Sequence, residues 1–210
     1  MPRPRELTVA VLVFPSFELL DVFGPLEVLG NRNLNPQPFR IRLVAERREP
    51  VRSAQGPAVY PDDTLDTVSA IGVLLVPGGI GTRAEVENGH LLEWIARRSE
   101  QAEFVCSVCT GAALLARSGV LDGRRATTNK RAFPWVEQLG PRVRWVREAR
   151  WVEDGKFVTS SGVSAGIDMA LALTARLVGL EAAETVARCM EYEWRNDPHH
   201  DPFAKVWGLV

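Results

Sequence analysis

The chain has 210 residues, of which 46% are hydrophobic and 24% charged, with a formal net charge of −1. That length can bury a sizeable core, and the composition is that of an ordinary soluble globular protein, read as one domain over 1–210. The near-neutral balance gives no reason to expect a polyanionic partner, and no apolar run approaches the length of a membrane span.

Leu7–Val13 is predicted as a buried strand. It follows Arg3 and Arg5 but meets Pro15 without a small-residue cleavage site, so it is not read as a secretory signal. Phe17–Leu29 has helical spacing interrupted at Gly24-Pro25, and Phe39–Ala45 alternates as a strand through Ile41, Leu43 and Ala45. Ile71–Val76 is a second buried strand, closed by Pro77-Gly78-Gly79. Leu91–Arg98 is helical, with His90 exposed at its start. Glu103–Val108 is a third buried strand, followed by a helix from Thr110 to Arg117. Arg144–Val152 and Lys156–Thr159 read as late strands joined around Asp154-Gly155, and Ser164–Val178 and Ala182–Trp194 as closing helices. Arg142, Arg144, Arg147 and Arg150 fall in this late stretch. They are better explained as a solvated strand face than as a nucleic-acid patch, so no nucleic-acid partner is expected.

Short apolar strands alternating with helices predict an α/β fold, a flavodoxin-like three-layer α/β/α sandwich with a mostly parallel sheet. Reactive groups in such sheets gather beyond the carboxyl ends of the strands. After Val108 stands Cys109-Thr110-Gly111-Ala112-Ala113, a strand turning at once into a helix, which is the pattern of a nucleophile elbow. The helix dipole there is expected to favour the thiolate, and the Thr110 amide to face a developing anion. The alternative is a buried structural cysteine. After Val76, Gly78 and Gly79 offer backbone amides as the other half of an oxyanion site, or form a plain turn. After Val13, Asp21 and Glu27 stand among apolar residues, where a carboxyl tends toward a raised pKa and can carry protons; the competing reading is a cap or a solvated helix face.

Three unevenly spaced cysteines do not make a disulfide framework, so the cytoplasm is the expected compartment. If extended, Cys106 and Cys109 would have Cα atoms roughly 10 Å apart, beyond the roughly 7 Å a disulfide allows. Cys106 and Cys189 are both expected in the core. His199 and His200 are adjacent in a Pro-flanked loop and lack the one-face spacing of a metal pair, so no metal site is expected; a reach from this loop to the cysteine is a lesser alternative.

Phe14-Pro15, Leu20-Asp21, Gly24-Pro25-Leu26-Glu27-Val28, Val76-Pro77-Gly78-Gly79, Ser107-Val108-Cys109-Thr110-Gly111-Ala112 and Gly162-Val163-Ser164-Ala165-Gly166-Ile167-Asp168 together resemble the ThiJ/PfpI superfamily, a class I glutamine amidotransferase-like fold. Among its branches the chain is most similar to the isonitrile hydratases, and sensor domains of AraC-type regulators carry similar motifs. The resemblance runs from about Leu7 to Trp194. It implies that Cys109 attacks the isonitrile carbon, that Asp21 handles protons and that Thr110 positions the intermediate. Gly78, Gly79, Glu27 and Gly162 are assigned to oxyanion or substrate contact. It also implies a small-molecule substrate, no cofactor and a homodimer.

The chain departs from the pattern at Asn129. Many relatives carry a His after the Thr-Thr pair, here Thr127-Thr128, and Asn cannot act as a base near neutral pH. That weighs against a peptidase more than against a hydratase. The stretch Glu191–Phe203 also differs from the Pro-rich string usual in relatives, and is read as a pocket rim or dimer contact. The rival functions are glyoxalase-like hydration of a reactive carbonyl and a non-catalytic ligand-sensing domain, for which this chain has no room for a DNA-binding helix pair.

Overall fold

The computed structural model describes residues 6–31 and 39–210, so Arg3 and Arg5 lie outside the described residues. In chain order the elements begin β1 (Leu7–Leu12), α1 (Leu19–Gly30), β2 (Phe39–Ala45), β3 (Val51–Arg52), β4 (Ala58–Val59), β5 (Asp63–Thr64) and β6 (Val73–Val76). They continue α2 (Thr82–Glu85), α3 (Gly89–Gln101), β7 (Phe104–Ser107), α4 (Gly111–Arg117), β8 (Arg125–Ala126), α5 (Phe133–Leu139) and β9 (Arg144–Trp145). The chain closes with β10 (Trp151–Asp154), β11 (Phe157–Ser160), α6 (Ala165–Val178), α7 (Leu180–Cys189) and α8 (Phe203–Val206).

The main sheet has the order β10-β11-β7-β6-β1-β2-β5 and is parallel except for the β10–β11 pair. Val9, Val11, Val73, Leu74, Val76, Val105 and Cys106 are all buried, as strands covered on both faces must be. Helices α1 and α6 pack together on one side, α3 and α4 on the other. This is the flavodoxin-like arrangement. Its switch in strand order brings the carboxyl ends of β1, β6 and β7 side by side. No helix among the described residues is long and apolar enough to cross a membrane.

Helix α1 is continuous where an interruption is expected. Pro25 sits inside it, and tertiary packing outweighs the missing amide. A Cβ on Gly24 would come within 2.8 Å of Ile167, and one on Gly166 within 3.3 Å of Pro25 and 2.8 Å of Val108. The two bare positions let α1 and α6 close on each other.

The long strand expected over Arg144–Val152 is two pieces. β9 pairs with β8 outside the main sheet, and β10 starts at Trp151. Between them Arg150 turns inward and pairs with Asp168 at 2.6 Å, which breaks the extended run. Arg142, Arg144 and Arg147 pair at the surface with Asp122, Asp154 and Glu137, so each cation of the run meets a carboxylate. The last long helix stops at Cys189, because Glu191 adopts a positive φ of 51° and reverses the chain. Cys189 is exposed rather than in the core, since Ala183, Val186 and Ala187 form the inward face of α7. Cys106 is buried, and all three cysteines are free.

Gly166→Ala tests the close seat of α6 against the elbow. Val108 is β-branched and cannot swing aside, so overpacking should destabilise the protein by about 1–3 kcal/mol in urea unfolding. An unchanged midpoint would show that α6 can move off Val108 freely.

Candidate active site

β7 ends at Ser107, and α4 begins at Gly111. In the gap Cys109 takes φ 57°, the left-handed region that costs a non-glycine residue about 1–3 kcal/mol. A Cβ at Gly111 would collide with the Val76 carbonyl, so only glycine lets the elbow lie against the end of β6. The strained peptide is clamped from both ends. The Cys109 amide donates to the Ser161 carbonyl at 3.1 Å, and the Thr128 hydroxyl donates to the Cys109 carbonyl at 2.8 Å.

The thiol is 6% exposed. Burial pushes its pKa well up, and the neighbouring Asp21 adds to this. Hydrogen bonds from the Thr110 and Val163 amides and the Asn129 side chain pull the other way without overcoming it. Burial thus favours the thiol over the thiolate expected from the helix N-terminus. The Thr110 amide, expected to face a developing anion, points at the sulfur.

Asp21 lies in the first turn of α1 and is fully buried. Burial, with a smaller push from Glu18, raises its pKa from the ordinary 3.8 to about 8, so the carboxyl is protonated at neutral pH. Its Oδ2 accepts the Gly78 amide at 2.8 Å. Its Oδ1 is buried without a well-aligned partner, and the Cys109 thiol stands beside the same carboxyl. A Cβ on Gly78 would sit within 2.5–2.9 Å of the Thr110 amide, the Thr110 hydroxyl and Asp21 Oδ2. That bare position is what lets acid, threonine and nucleophile meet.

The Gly78 and Gly79 amides are not left open for an oxyanion. Gly78 holds Asp21, and the Gly79 amide donates to Thr110 Oγ1 at 3.0 Å. Thr82, which sequence reasoning missed, completes this knot. Its hydroxyl donates to the Gly79 carbonyl at 2.7 Å and lies 3.1 Å from Thr110 Oγ1. Glu27 lies on the exposed face of α1, and nothing in the structure brings it to the thiol.

Asn129 is the larger surprise. Its Oδ1 accepts the Ala132 amide at 3.0 Å, which turns Nδ2 toward Gly162 and Cys109. A Cβ at Gly162 would collide with Nδ2, so Gly162 makes room for this amide. Val163, next along, has φ 33°, strained for a β-branched residue, and aims its amide at the sulfur. The position where many relatives have a base thus carries a fixed donor. His90 and His200 stand at the surface beside Glu46 and Glu148, His199 is exposed, and none of the three neighbours Cys109. No group of three or more potential metal ligands occurs among the described residues.

Residues 7–176 match the DJ-1/PfpI family. The chain is 36% identical to an isonitrile hydratase of Pseudomonas putida, over 89% of this chain and 78% of that one. It is 26% identical to the HTH-type transcriptional regulator GbdR of Pseudomonas aeruginosa over 92% of its own length, spanning about half (53%) of the regulator. The crystal structure of a THiJ/PfpI family protein from Pseudomonas syringae superposes with a TM-score of 0.83 at 31% identity, covering 91% of this chain and 77% of that one.

The carboxyl has a signature in stability. Its folded pKa lies above its unfolded one, so the stabilisation Asp21 contributes is complete below about pH 4 and is lost as pH rises to about 8. The unfolding free energy of the parent minus that of Asp21→Asn should fall by about 1.4 kcal/mol per pH unit across that window and then level off. A difference that stays flat from pH 4 to 8 would mean the carboxyl is ionised in the fold.

Proposed function

The chain belongs to the DJ-1/PfpI family, and on that premise we propose that it hydrates isonitriles to N-substituted formamides with Cys109 as nucleophile. The observation that carries this reading is a fully buried Asp21 carboxyl beside a buried thiol, with no histidine at hand. Hydrolysis of an amide calls for a base to activate the nucleophile. An isonitrile carbon instead accepts a proton and then a nucleophile, which suits a site whose resting groups are an acid and a thiol.

In the first step Asp21 gives its proton to the terminal carbon and the Cys109 sulfur bonds to the same carbon. The thiol proton replaces the one Asp21 gave, and a thioimidate results, with a C–H bond and a C=N bond. Water then adds to the C=N carbon, with a proton passing to nitrogen. The C–S bond breaks, the sulfur recovers a proton and the N-substituted formamide leaves. The amides of Thr110 and Val163 and the side chain of Asn129 stabilise sulfur while it carries negative charge. Thr110, fixed by Gly79 and Thr82, holds the turn in place. Two copies are expected to associate, and exposed Leu20 and Phe23 on α1 are apolar surface suited to that.

The similarity to a transcriptional regulator supports a second reading, in which the same site senses a ligand without turnover. Infrared spectroscopy with cyclohexyl isonitrile separates the two. The isonitrile band should decay as formamide appears, with no decay in Cys109→Ala. Asp21→Asn should lose at least about 100-fold in rate while remaining folded. Near-parental turnover in Asp21→Asn would remove the acid from the mechanism, and an unchanged band in the parent would leave the sensing reading in its place.

A further inference from the structure

Behind Asn129 lies a second buried polar cluster. Lys130 is 2% exposed. Its Nζ donates to Thr127 Oγ1 at 2.8 Å and to the Ala149 carbonyl at 2.6 Å, and faces the Asp201 carboxylate at 4.0 Å. Asp201 is also buried, and its Oδ2 has no hydrogen-bond partner, so Lys130 is the countercharge that permits it inside. Asp201 is itself built into the C-terminal turn: its amide donates to the Glu148 carbonyl, and its Oδ1 accepts the Phe203 amide at 3.1 Å. Arg150 and Asp168 stand nearby as a second buried pair, so the cluster holds two cations and two anions.

Nothing in the chemistry of Cys109 requires a buried ion pair here. What the pair touches supplies the reason. Thr127, the acceptor for Lys130, has its amide bonded to Thr159 Oγ1 on β11 and its hydroxyl to the Val146 carbonyl. The next two residues both contact the nucleophile: Thr128 through the Cys109 carbonyl, and Asn129 through the thiol. Lys130 follows directly. The four-residue stretch Thr127–Lys130 is thus fixed at both ends, and its middle presses on Cys109.

We propose that Lys130 and Asp201 are positioning residues for Cys109. Seated between Thr127, Ala149 and the C-terminal turn, the pair holds Thr128 and Asn129 against the strained elbow and makes residues 198–204 part of the site. The inference rests on Cys109 being the reacting group. It does not depend on which substrate that group attacks.

The test is the rate at which iodoacetamide alkylates Cys109, with no isonitrile present. The rate is read from the mass of the Cys109 peptide, because exposed Cys189 also reacts. Lys130→Met/Asp201→Asn removes both charges together and leaves neither ion unpaired. At about pH 7, where Lys130 still carries its charge, this variant and Asn129→Ala should each alkylate about tenfold more slowly than the parent, through loss of a donor to the thiolate. The triple variant should be no slower than either, because the pair acts through Asn129. An unchanged or faster rate in the charge-removed variant, with only its melting temperature lowered, would overturn the proposal, as would effects that multiply. If that variant does not fold, Thr127→Val removes one acceptor for Lys130 and is judged in the same way, with about threefold slowing expected. Slowed alkylation in a protein that leaves isonitriles untouched would uphold the positioning role and refute only the substrate.

Discussion

Taking the Asp21 carboxyl out of water is the constraint on which the rest of the site depends. An ionised carboxylate in that position would be costly, so the group keeps its proton. One amide, from Gly78, satisfies one oxygen, and the other oxygen is left beside the thiol. The thiol is buried beside it, and despite donors from Thr110, Val163 and Asn129, burial keeps it protonated too. The resting site is therefore neutral and becomes polarised only when a reactant takes up a proton.

The fold meets this demand through close backbone approach, supported by the hydroxyls of Thr82, Thr110 and Thr128 and the Asn129 amide. Gly78, Gly111 and Gly162 each stand where a Cβ would collide with a group of the site. The left-handed turns at Cys109 and Val163 store strain, and neighbouring segments oppose its release. Ser161 and Thr128 grip the Cys109 peptide. Asp168 ties α6 to the C-terminal segment through Arg150, the Tyr192 hydroxyl and the Arg195 amide. The end of the chain thereby reaches the same region from behind.

The sheet and the elbow at Cys109-Thr110 were legible in the sequence, because a buried apolar strand ends there, whereas Asp21, inside α1, was singled out by its apolar neighbours and by the family resemblance. Buried strands announce themselves by continuous apolar runs, and the junction residue follows from where the run stops. What was not legible depends on approach between distant segments. Asn129 reads as a missing base until Ala132 and Gly162 fix its amide toward the sulfur. Pro25 reads as a break until Gly166 receives it. Arg150 looks like one of a surface series until Asp168, 18 residues on, draws it inside. Cys189 reads as core from its place in the last helix, until Ala183, Val186 and Ala187 prove to be that helix's inward face. Glu27 shares the apolar surroundings of Asp21 in sequence but stands on the other face of the helix.

The protonation of Asp21 decides the account most directly. A carbon-13 NMR titration of the aspartate side-chain carboxyls, with Asp21→Asn used to assign the signal, measures it in the folded protein. The account predicts a midpoint near 8. A midpoint near the ordinary value of about 4 would mean that Asp21 is a carboxylate at neutral pH, and the neutral acid–thiol pair would not exist.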